Sequence, residues 1–177
     1  MTEPSTIVIS PVDARWGTDA DQTFHVVLVC PEIPPNTGSI ARLCAASGAH
    51  LHLVEPLGFE LSDKRLKRAG LDYWPSVGLS VHTSFEAIEA IFPRERMVLF
   101  SSHATHSYAA EAYAPGTALV FGRETKGLGP ELVGRYADRL VWIPFRPGTV
   151  RSINLANAVS IALYEALRQS SFPGLVR

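Results

Sequence analysis

Short apolar segments alternate with polar stretches rich in glycine and proline along most of this chain. The run 24–30, FHVVLVC, is apolar at nearly every position, which is typical of a strand buried on both faces of a parallel sheet. Similar runs follow further along, each bounded by turn-forming residues. The predicted strands are 24–30, 51–55, 77–82, 97–101, 118–121 and 140–143.

Helical patterns lie between several of these strands and after the last one. Gly48 and Gly70 each follow such a pattern and are suited to end a helix, while Ser84 is suited to begin one. Strands that alternate with helices at this spacing predict an α/β fold with a mainly parallel sheet flanked by helices. The predicted helices run from the loop 31–38 to about residue 47, and over 63–69, 85–92 and 153–167.

The last predicted helix is almost entirely apolar. Ser152 is a suitable N-cap for it, and small or aliphatic residues then occupy nearly every face. Asn154, Asn157 and Ser160 are the exceptions, and their spacing keeps them near one edge of the helix. A helix with so little polar surface must be covered, and buried amides and hydroxyls need partners from the backbone, a second subunit or a ligand.

Composition indicates one globular domain. The 177 residues are 46% hydrophobic and 19% charged, which is ordinary for a domain with a sizeable core. We expect that domain to span 23–177. Residues 1–22 mix Pro, Ser, Thr and Asp around one short apolar run, and we predict a flexible, mostly extended N-terminal segment outside the main fold.

Charge and cysteine content limit the possible partners and compartments. With a formal net charge of −1, any attraction to nucleic acid must come from a local patch of the surface. Cys30 and Cys44 lie in apolar segments, as expected of reduced thiols in a cytosolic protein. Because no apolar run reaches the roughly 18 residues of a membrane span, and the N-terminus lacks a signal-peptide pattern, no membrane partner is expected.

A glycine-rich loop begins directly where the predicted strand 118–121 ends. Ligands bind beyond the carboxyl ends of strands in open α/β sheets, so the segment 122–130, GRETKGLGP, is a candidate ligand loop. Leu128 stands where a Walker phosphate loop needs lysine, and the segment does not match G-x-G-x-x-G either. On the glycines alone, a plain turn and a ligand loop both remain open.

Two further candidates involve polar side chains at helix starts. Asn36 and Arg42 lie six residues apart across a loop-to-helix junction, and the forked guanidinium of arginine suits a phosphate or a carboxylate. A capping asparagine and a surface arginine are the competing interpretation. The polar edge that contains Ser152 and Asn154 is the other candidate.

Four segments, taken in order, resemble the successive motifs of the SpoU/TrmH branch of the SPOUT methyltransferases. The resemblance extends from about Phe24 to Gly174 with similar gaps, and four ordered motifs are far more specific than any one of them. The segments are 31–42 (PEIPPNTGSIAR), 63–73 (DKRLKRAGLDY), 121–128 (FGRETKGL), and 143–144 (IP) with 152–160 (SINLANAVS).

The resemblance implies an enzyme that uses S-adenosyl-L-methionine to methylate the ribose 2'-hydroxyl of the wobble nucleotide, cytidine or uridine 34, in tRNA. It also implies a C-terminal trefoil knot, with the last helix passing through a loop near 122–127. Members are cytoplasmic homodimers, with the apolar last helix in the interface. The cofactor-binding residues implied by the resemblance are Phe100, Gly122, Gly127, Ile143, Ser152 and Asn154.

The same resemblance assigns catalysis to Arg42, Asn36 and Glu124. An arginine is almost never deprotonated, so we expect Arg42 to act as a clamp and electrostatic stabiliser beside the target phosphate. We expect Glu124 to orient loop groups or Arg42, with a solvated loop carboxylate as the competing interpretation.

Basic side chains near these motifs predict a phosphate track for the anticodon stem-loop of tRNA, although a solvated face is the alternative. His103 and His106 have no further ligands nearby in the sequence, so no metal is expected. The predicted RNA-binding residues are Lys64, Arg65 and Arg68 on one short helix, and Arg151 on a site loop.

Two alternatives to this function stay open. The same fold could methylate another ribose in tRNA or in rRNA, because surfaces outside the motifs choose the target. A catalytically silent RNA-binding dimer is the alternative of a different class, and the joint presence of Asn36, Arg42 and Gly122 speaks against it.

Overall fold

An eight-stranded sheet forms the framework of the chain in the computed structural model, which describes residues 6–10 (backbone), 23–60, 77–146 and 148–175. The strands are β1 Thr6–Ser10, β2 His25–Val29, β3 His50–Val54, β4 Leu79–His82, β5 Met97–Phe100, β6 His106–Ser107, β7 Ala118–Phe121 and β8 Leu140–Trp142. The helices are α1 Pro34–Ser47, α2 Phe85–Glu89, α3 Gly129–Arg135 and α4 Leu155–Gln169.

The order across the sheet is β1-β4-β3-β2-β7-β5-β8-β6. Every pairing from β4 to β6 is parallel, and β1 alone is antiparallel. The predicted α/β class with a mainly parallel sheet is therefore confirmed. The trefoil knot implied by the family resemblance stays a prediction.

Burial on both faces explains the continuous apolar runs of the central strands. Val26 and Leu28 of β2 belong to the core beneath α1 and α4, whereas Val27 belongs to the core beneath α2 and α3. All three are 0% exposed. Burying one such side chain contributes about 1.5–3 kcal/mol, so the two cores together hold the sheet between its helix layers.

Local chemistry fixes the ends of the two long helices. Pro34 occupies the first position of α1, where its missing N–H costs nothing, and Gly48 ends that helix at φ 73°. The start of α4 differs from the prediction that Ser152 is the N-cap. Asn154 takes that position because its side chain accepts a hydrogen bond from the backbone N–H of Asn157, at 3.3 Å.

The N-terminal segment also differs from its prediction. Thr6–Ser10 pairs with the outer edge of β4, with Thr6 opposite His82, so these five residues lie within the sheet rather than outside the main fold. The physical reason is that an unpaired edge strand offers a row of backbone donors and acceptors, which an extended apolar segment can satisfy. Flexibility of the rest of 1–22 stays a prediction.

Short or irregular elements account for the remaining differences. The helix predicted at 85–92 ends at Glu89. α3 and the two-residue strand β6 were not predicted, since neither carries an apolar run of the usual length. The helix predicted at 63–69 lies outside the described residues. Within the described part of the chain, no helix is long and apolar enough to cross a membrane.

Four histidines on adjacent strands form a mostly buried polar cluster beside Phe92. His52 is central: its Nε2 lies 3.0 Å from His25 Nδ1, and its Nδ1 lies 2.9 Å from His82 Nε2. His50 Nε2 lies 3.0 Å from the hydroxyl oxygen of Ser80. Since a neutral imidazole has one donor and one acceptor, the three linked rings must share one tautomer to satisfy both contacts.

Burial makes this cluster costly to protonate. Burial lowers the pKa of His82 to about 4. Burial first, and then the neighbouring His25 and His82, together lower the pKa of His50 to about 4. Burial is also the first cause that holds the pKa of His52 well below its ordinary value, followed by the surrounding imidazoles His50, His25 and His82. The rings of His50, His52 and His82 are therefore expected to be neutral near pH 7.

We predict that the free energy of unfolding falls as the pH decreases from about 6.5 to about 4. In this window the unfolded chain takes up protons on His50, His52 and His82 while the folded protein does not, so the stability present above pH 6.5 is lost. The loss is on the order of 3 kcal/mol for a ring such as His50, whose pKa in the folded protein is about 4. Urea unfolding at pH 7.5, 6 and 5 measures it.

The side-chain amide of His52→Gln still offers a hydrogen-bond donor and an acceptor, but it cannot titrate. The substitution should therefore weaken the pH dependence of the free energy of unfolding, and it should lower stability at neutral pH. His103→Gln, at an exposed position outside the cluster, is the matched control and should leave the slope unchanged. An unaltered slope in His52→Gln would contradict the assignment.

Candidate functional site

A cavity of about 930 Å³ opens at the carboxyl edge of the sheet, where β2, β5, β7 and β8 end. This is the edge at which open α/β sheets bind ligands, and the volume is that of a typical small-molecule site. Separate parts of the chain supply its walls. The lining comprises Ile33 and Asn36, residues 100–103, 121–130 and 150–155, and Val133, Ile143, Phe145 and Ala158.

The glycine loop after β7 forms one wall and closes on itself. The backbone N–H of Arg123 donates to the carbonyl of Gly127 at 3.0 Å, and the N–H of Gly127 donates back at 2.9 Å. Gly122 faces this closure so closely that a Cβ would lie 2.1 Å from the carbonyl carbon of Gly127. Only glycine fits there, because any side chain would collide with the backbone at Gly127 and Leu128.

Glu124, at the tip of this loop, is fully engaged as an acceptor. Its Oε2 accepts the backbone N–H of Glu32 at 2.8 Å. Its Oε1 accepts the N–H of Ile33 at 3.1 Å and the side-chain amide of Asn36 at 3.0 Å. A carboxylate that holds two backbone donors and one amide positions its neighbours, which agrees with the predicted orienting role and not with a solvated loop residue.

Asn36 continues this chain of contacts to the last helix. Its Oδ1 accepts the side-chain amide of Asn154 at 3.0 Å, while the side-chain oxygen of Asn154 caps α4 through Asn157. Asn36 is itself buried in the first turn of α1. Glu124 and Asn154, which lie 88 and 118 positions after Asn36, therefore meet it through side-chain amides and one carboxylate.

The predicted cofactor residues all line the cavity. Phe100 stacks on Phe121 at its floor, with ring centroids 4.5 Å apart and an interplanar angle of 12°. Arg151, predicted to contact RNA, lines the same cavity. The lining members of the predicted set are Phe100, Gly122, Gly127, Ile143, Ser152 and Asn154, together with Asn36 and Glu124.

Arg42 lies elsewhere. It is exposed on α1, six residues beyond Asn36 and thus about 9 Å along the helix axis, and it is outside the described lining of the cavity. Lys64, Arg65 and Arg68 lie outside the described residues. The two histidines considered for a metal have different surroundings: His103 lines the cavity, and His106 Nε2 lies 3.3 Å from Glu111 Oε2.

Sequence reasoning missed Glu32 and Thr125. Glu32 Oε2 accepts both the backbone N–H of Thr125, at 3.1 Å, and its hydroxyl, at 2.7 Å. Those hydrogen bonds hold the pKa of Glu32 below its ordinary value, and the charges of Arg123 and Lys126 act in the same direction. Its place directly after a strand was visible in the sequence, but no pattern links residues 93 positions apart.

The electrostatic balance of the cavity is positive. Among its described lining residues, Arg123, Lys126 and Arg151 carry permanent positive charges, and Glu124 carries the only carboxylate. The three cationic side chains outnumber this carboxylate among the described lining residues, so the potential that an entering ligand meets is positive. The site therefore favours a ligand with negative charge near its mouth.

Comparison with known proteins agrees with this architecture. The model of the SpoU rRNA Methylase family matches residues 23–164. The tRNA (cytidine(34)-2'-O)-methyltransferase of Burkholderia pseudomallei is 50% identical over 155 residues, which represent 85% of this chain and 98% of that protein.

Solved structures share the fold over the same region. One, described as "Structural insights into the 2-OH methylation of C/U34 on tRNA", is 47% identical with a TM-score of 0.78, and the match covers 85% of this chain and 98% of that chain. The SpoU methyltransferase AviRb from Streptomyces viridochromogenes, solved in complex with the cofactor AdoMet, is 26% identical with a TM-score of 0.73. That match covers 85% of this chain and 59% of the other.

The family model thus spans most of the chain, and a relative of nearly the same domain length is half identical to it. This chain belongs to the SpoU rRNA methylase family.

Proposed function

We propose that this protein transfers the methyl group of S-adenosyl-L-methionine to the ribose 2'-hydroxyl of nucleotide 34, cytidine or uridine, in tRNA. The observation that carries the proposal is the convergence of three of the four family motifs, at 31–42, 121–128 and 152–160, on one cavity at the carboxyl edge of the sheet. The relative from Burkholderia pseudomallei, whose name states this reaction, matches along nearly its whole length.

The residues present fit the proposed cofactor. A cavity of about 930 Å³ is large enough for a nucleoside with an amino-acid tail, and the stacked Phe100 and Phe121 rings provide an apolar floor. The tight loop at Gly122 and Gly127 brings backbone groups to the surface where a Cβ would have blocked them. When bound, S-adenosyl-L-methionine supplies a methyl group already activated by its sulfonium.

The protein has to hold the ribose hydroxyl in line with the methyl group of the cofactor. It also has to stabilise charge near the phosphate of the target nucleotide. Asn36 and Glu124 form the rigid side of the site through their mutual hydrogen bond, and Asn154 extends it to α4. Arg42 acts from outside the cavity as a clamp on the phosphate of the target nucleotide. Its guanidinium stays charged, so the proton of the hydroxyl goes to another acceptor.

The RNA approaches over the cationic mouth of the cavity. Arg123, Lys126 and Arg151 supply the local positive charge that a chain of net charge −1 needs to attract a polyanion. We propose that Lys64, Arg65 and Arg68 extend this track along the anticodon stem-loop. An enzyme of this kind works in the cytoplasm, where the buried thiols of Cys30 and Cys44 remain reduced.

We also propose a homodimer that buries the outer face of α4. Ile161 and Tyr164 are 37% and 45% exposed on this helix, and the ring of Phe172 lies 6.4 Å from that of Tyr164. Ile161 and Tyr164 are apolar side chains left exposed on the helix that the sequence predicted to need a cover, and Phe172 lies just beyond its end.

A ribose in rRNA is the second candidate substrate. The description of the matching family names rRNA, and the residues of the cavity are suited to any ribose. The surfaces that select the RNA, and not the transfer site, decide between the two.

The decisive measurement is the position of the methyl group. We expect purified protein, incubated with S-adenosyl-L-methionine carrying a labelled methyl group and with tRNA that has cytidine or uridine at position 34, to label that ribose. A tRNA with a 2'-deoxy nucleotide at position 34 is the control and should remain unlabelled. Labelling of rRNA fragments without labelling of tRNA would reject the tRNA assignment and support the second candidate.

We expect Arg42→Ala to lower kcat by about 10²-fold, because one electrostatic contact to the phosphate is lost. Arg42→Lys keeps the charge but not the fork, and should fall between that variant and the wild type. Cofactor affinity, measured by isothermal titration, should be unchanged, because Arg42 is outside the described cavity lining. Arg135→Lys on α3 is the matched control, and near-normal turnover of Arg42→Lys would show that the fork geometry is irrelevant.

Tyr164→Asp should convert the dimer into a monomer in size-exclusion chromatography with light scattering, because a desolvated carboxylate in an apolar interface is costly. Ile91→Asp is the matched control, since Ile91 is a comparably exposed apolar residue, 46% against 45%, outside α4. A wild-type monomer, or a dimer broken only by Ile91→Asp, would contradict the assigned face.

A further inference from the structure

Two carboxylates clasp each other's loops at the wall of the cavity. Glu124, after β7, accepts the backbone N–H groups of Glu32 and Ile33. Glu32, after β2, accepts the backbone N–H and the hydroxyl of Thr125. β2 and β7 are parallel neighbours with Leu28 opposite Phe121, so the two loops leave the sheet side by side. In this reciprocal arrangement, which we call the clasp, Glu124 holds the segment that carries Glu32, and Glu32 holds the loop that carries Glu124.

The loop tip depends on this contact. The two hydrogen bonds between Arg123 and Gly127 close the base of the loop, and Glu124, Thr125 and Lys126 form the tip beyond them. The backbone N–H of Thr125 points away from the loop to Glu32 instead of to a partner inside it. Glu32 therefore restrains a part of the loop that its own closing hydrogen bonds do not reach.

A third loop holds the backbone of Glu32 in place. The N–H of Gly58 donates to the carbonyl of Pro31 at 2.9 Å. A Cβ on Gly58 would lie 2.8 Å from the Cα of Glu32, so this segment lies directly against it. The backbone of Glu32 packs against the loop after β3, and its N–H donates to Glu124. The carboxylate of Glu32 is therefore attached to a backbone that is held in place. Such preorganisation is what a residue that shapes a binding site requires.

We propose that Glu32 is a positioning residue, which holds the 122–127 loop in the shape that binds the cofactor. Glu32 is not among the described lining residues, so it acts through Thr125 and not by contact with the ligand. The identity of the ligand rests on the proposed function. The clasp itself rests on the hydrogen bonds and is testable without any ligand.

The ligand-independent test is amide hydrogen exchange of the full-length protein. In the wild type the amide of Thr125 should be protected, and Glu32→Ala should increase its exchange rate by about 10-fold or more, as expected for loss of a hydrogen bond to a charged acceptor. Exchange in the β2 and β7 strands should stay unchanged. Equal exchange at Thr125 in the wild type and in Glu32→Ala would overturn the proposal, whether or not the protein binds S-adenosyl-L-methionine.

The functional test separates positioning from chemistry. Glu32→Ala should raise the Kd and the KM for S-adenosyl-L-methionine by about 10-fold, whereas kcat at saturation should stay within about twofold, because Glu32 does not touch the reacting atoms. Glu32→Gln keeps a carbonyl acceptor and should recover part of the affinity. Thr125→Val should lose affinity for S-adenosyl-L-methionine because it lacks the hydroxyl donor to Glu32. Thr125→Ser keeps that donor and should bind nearly as tightly as the wild type.

Glu131→Ala is the matched control, because this carboxylate is exposed on α3 just beyond the loop and its side chain is 83% accessible. An unchanged Kd in Glu32→Ala, or a fall in kcat with constant KM, would overturn the positioning role. A wild-type protein that shows the Thr125 protection but neither binds the cofactor nor transfers methyl groups would instead reject the proposed function and leave the clasp established.

Discussion

The carboxylate of Glu124 is the contact on which the site depends. It joins the loop after β7 to the start of α1 through two backbone donors and the amide of Asn36, and Asn36 in turn reaches the cap of α4. Three donors to one charged acceptor stabilise the site more than any single contact does. The acceptor is partly buried, so water competes weakly for it. Without it, three segments that are remote along the chain would have no shared anchor.

The sheet makes that contact possible. Parallel strands deliver the loops after β2 and β7 to the same edge, and buried side chains on both faces hold the strands in register. The close approach at Gly122 then turns the second loop back on itself. Hydrophobic burial supplies the rigidity, and the polar contacts at the edge use that rigidity to define a cavity, which is the usual division between scaffold and site.

The buried histidines show a different use of polar groups in the same sheet. His25, His52 and His82 are linked across three strands, away from the glycine loop, and burial opposes the charge of His52 and His82. Such a cluster ties strand pairing to proton concentration. The clasp at Glu32 and Glu124 uses charge, whereas this cluster requires its absence, so acid affects the two features through different groups.

The sequence alone determined the class of fold and predicted many of the residues that line the cavity. Continuous apolar runs such as 24–30 predicted buried parallel strands, because the period of burial is a local property of the chain. The resemblance to the ordered family motifs predicted Asn36, Gly122, Glu124 and Asn154 as site residues, and the structure places all four in the lining of one cavity. Three local features were not predicted: the edge strand Thr6–Ser10, the cap at Asn154 and the short helix α3. The local sequence preference for each was too weak to indicate the structure that forms.

Only the tertiary structure decided which groups meet. The hydrogen bond from Thr125 to Glu32 joins residues that are 93 positions apart, and the four histidines of the cluster come from three separate strands. It also separated Arg42 from the cavity that contains Asn36, although the two are neighbours in the same motif. The physical reason is that hydrogen bonding and burial depend on distance in space, which the packing of the sheet and helices sets, whereas sequence patterns record only what one segment prefers.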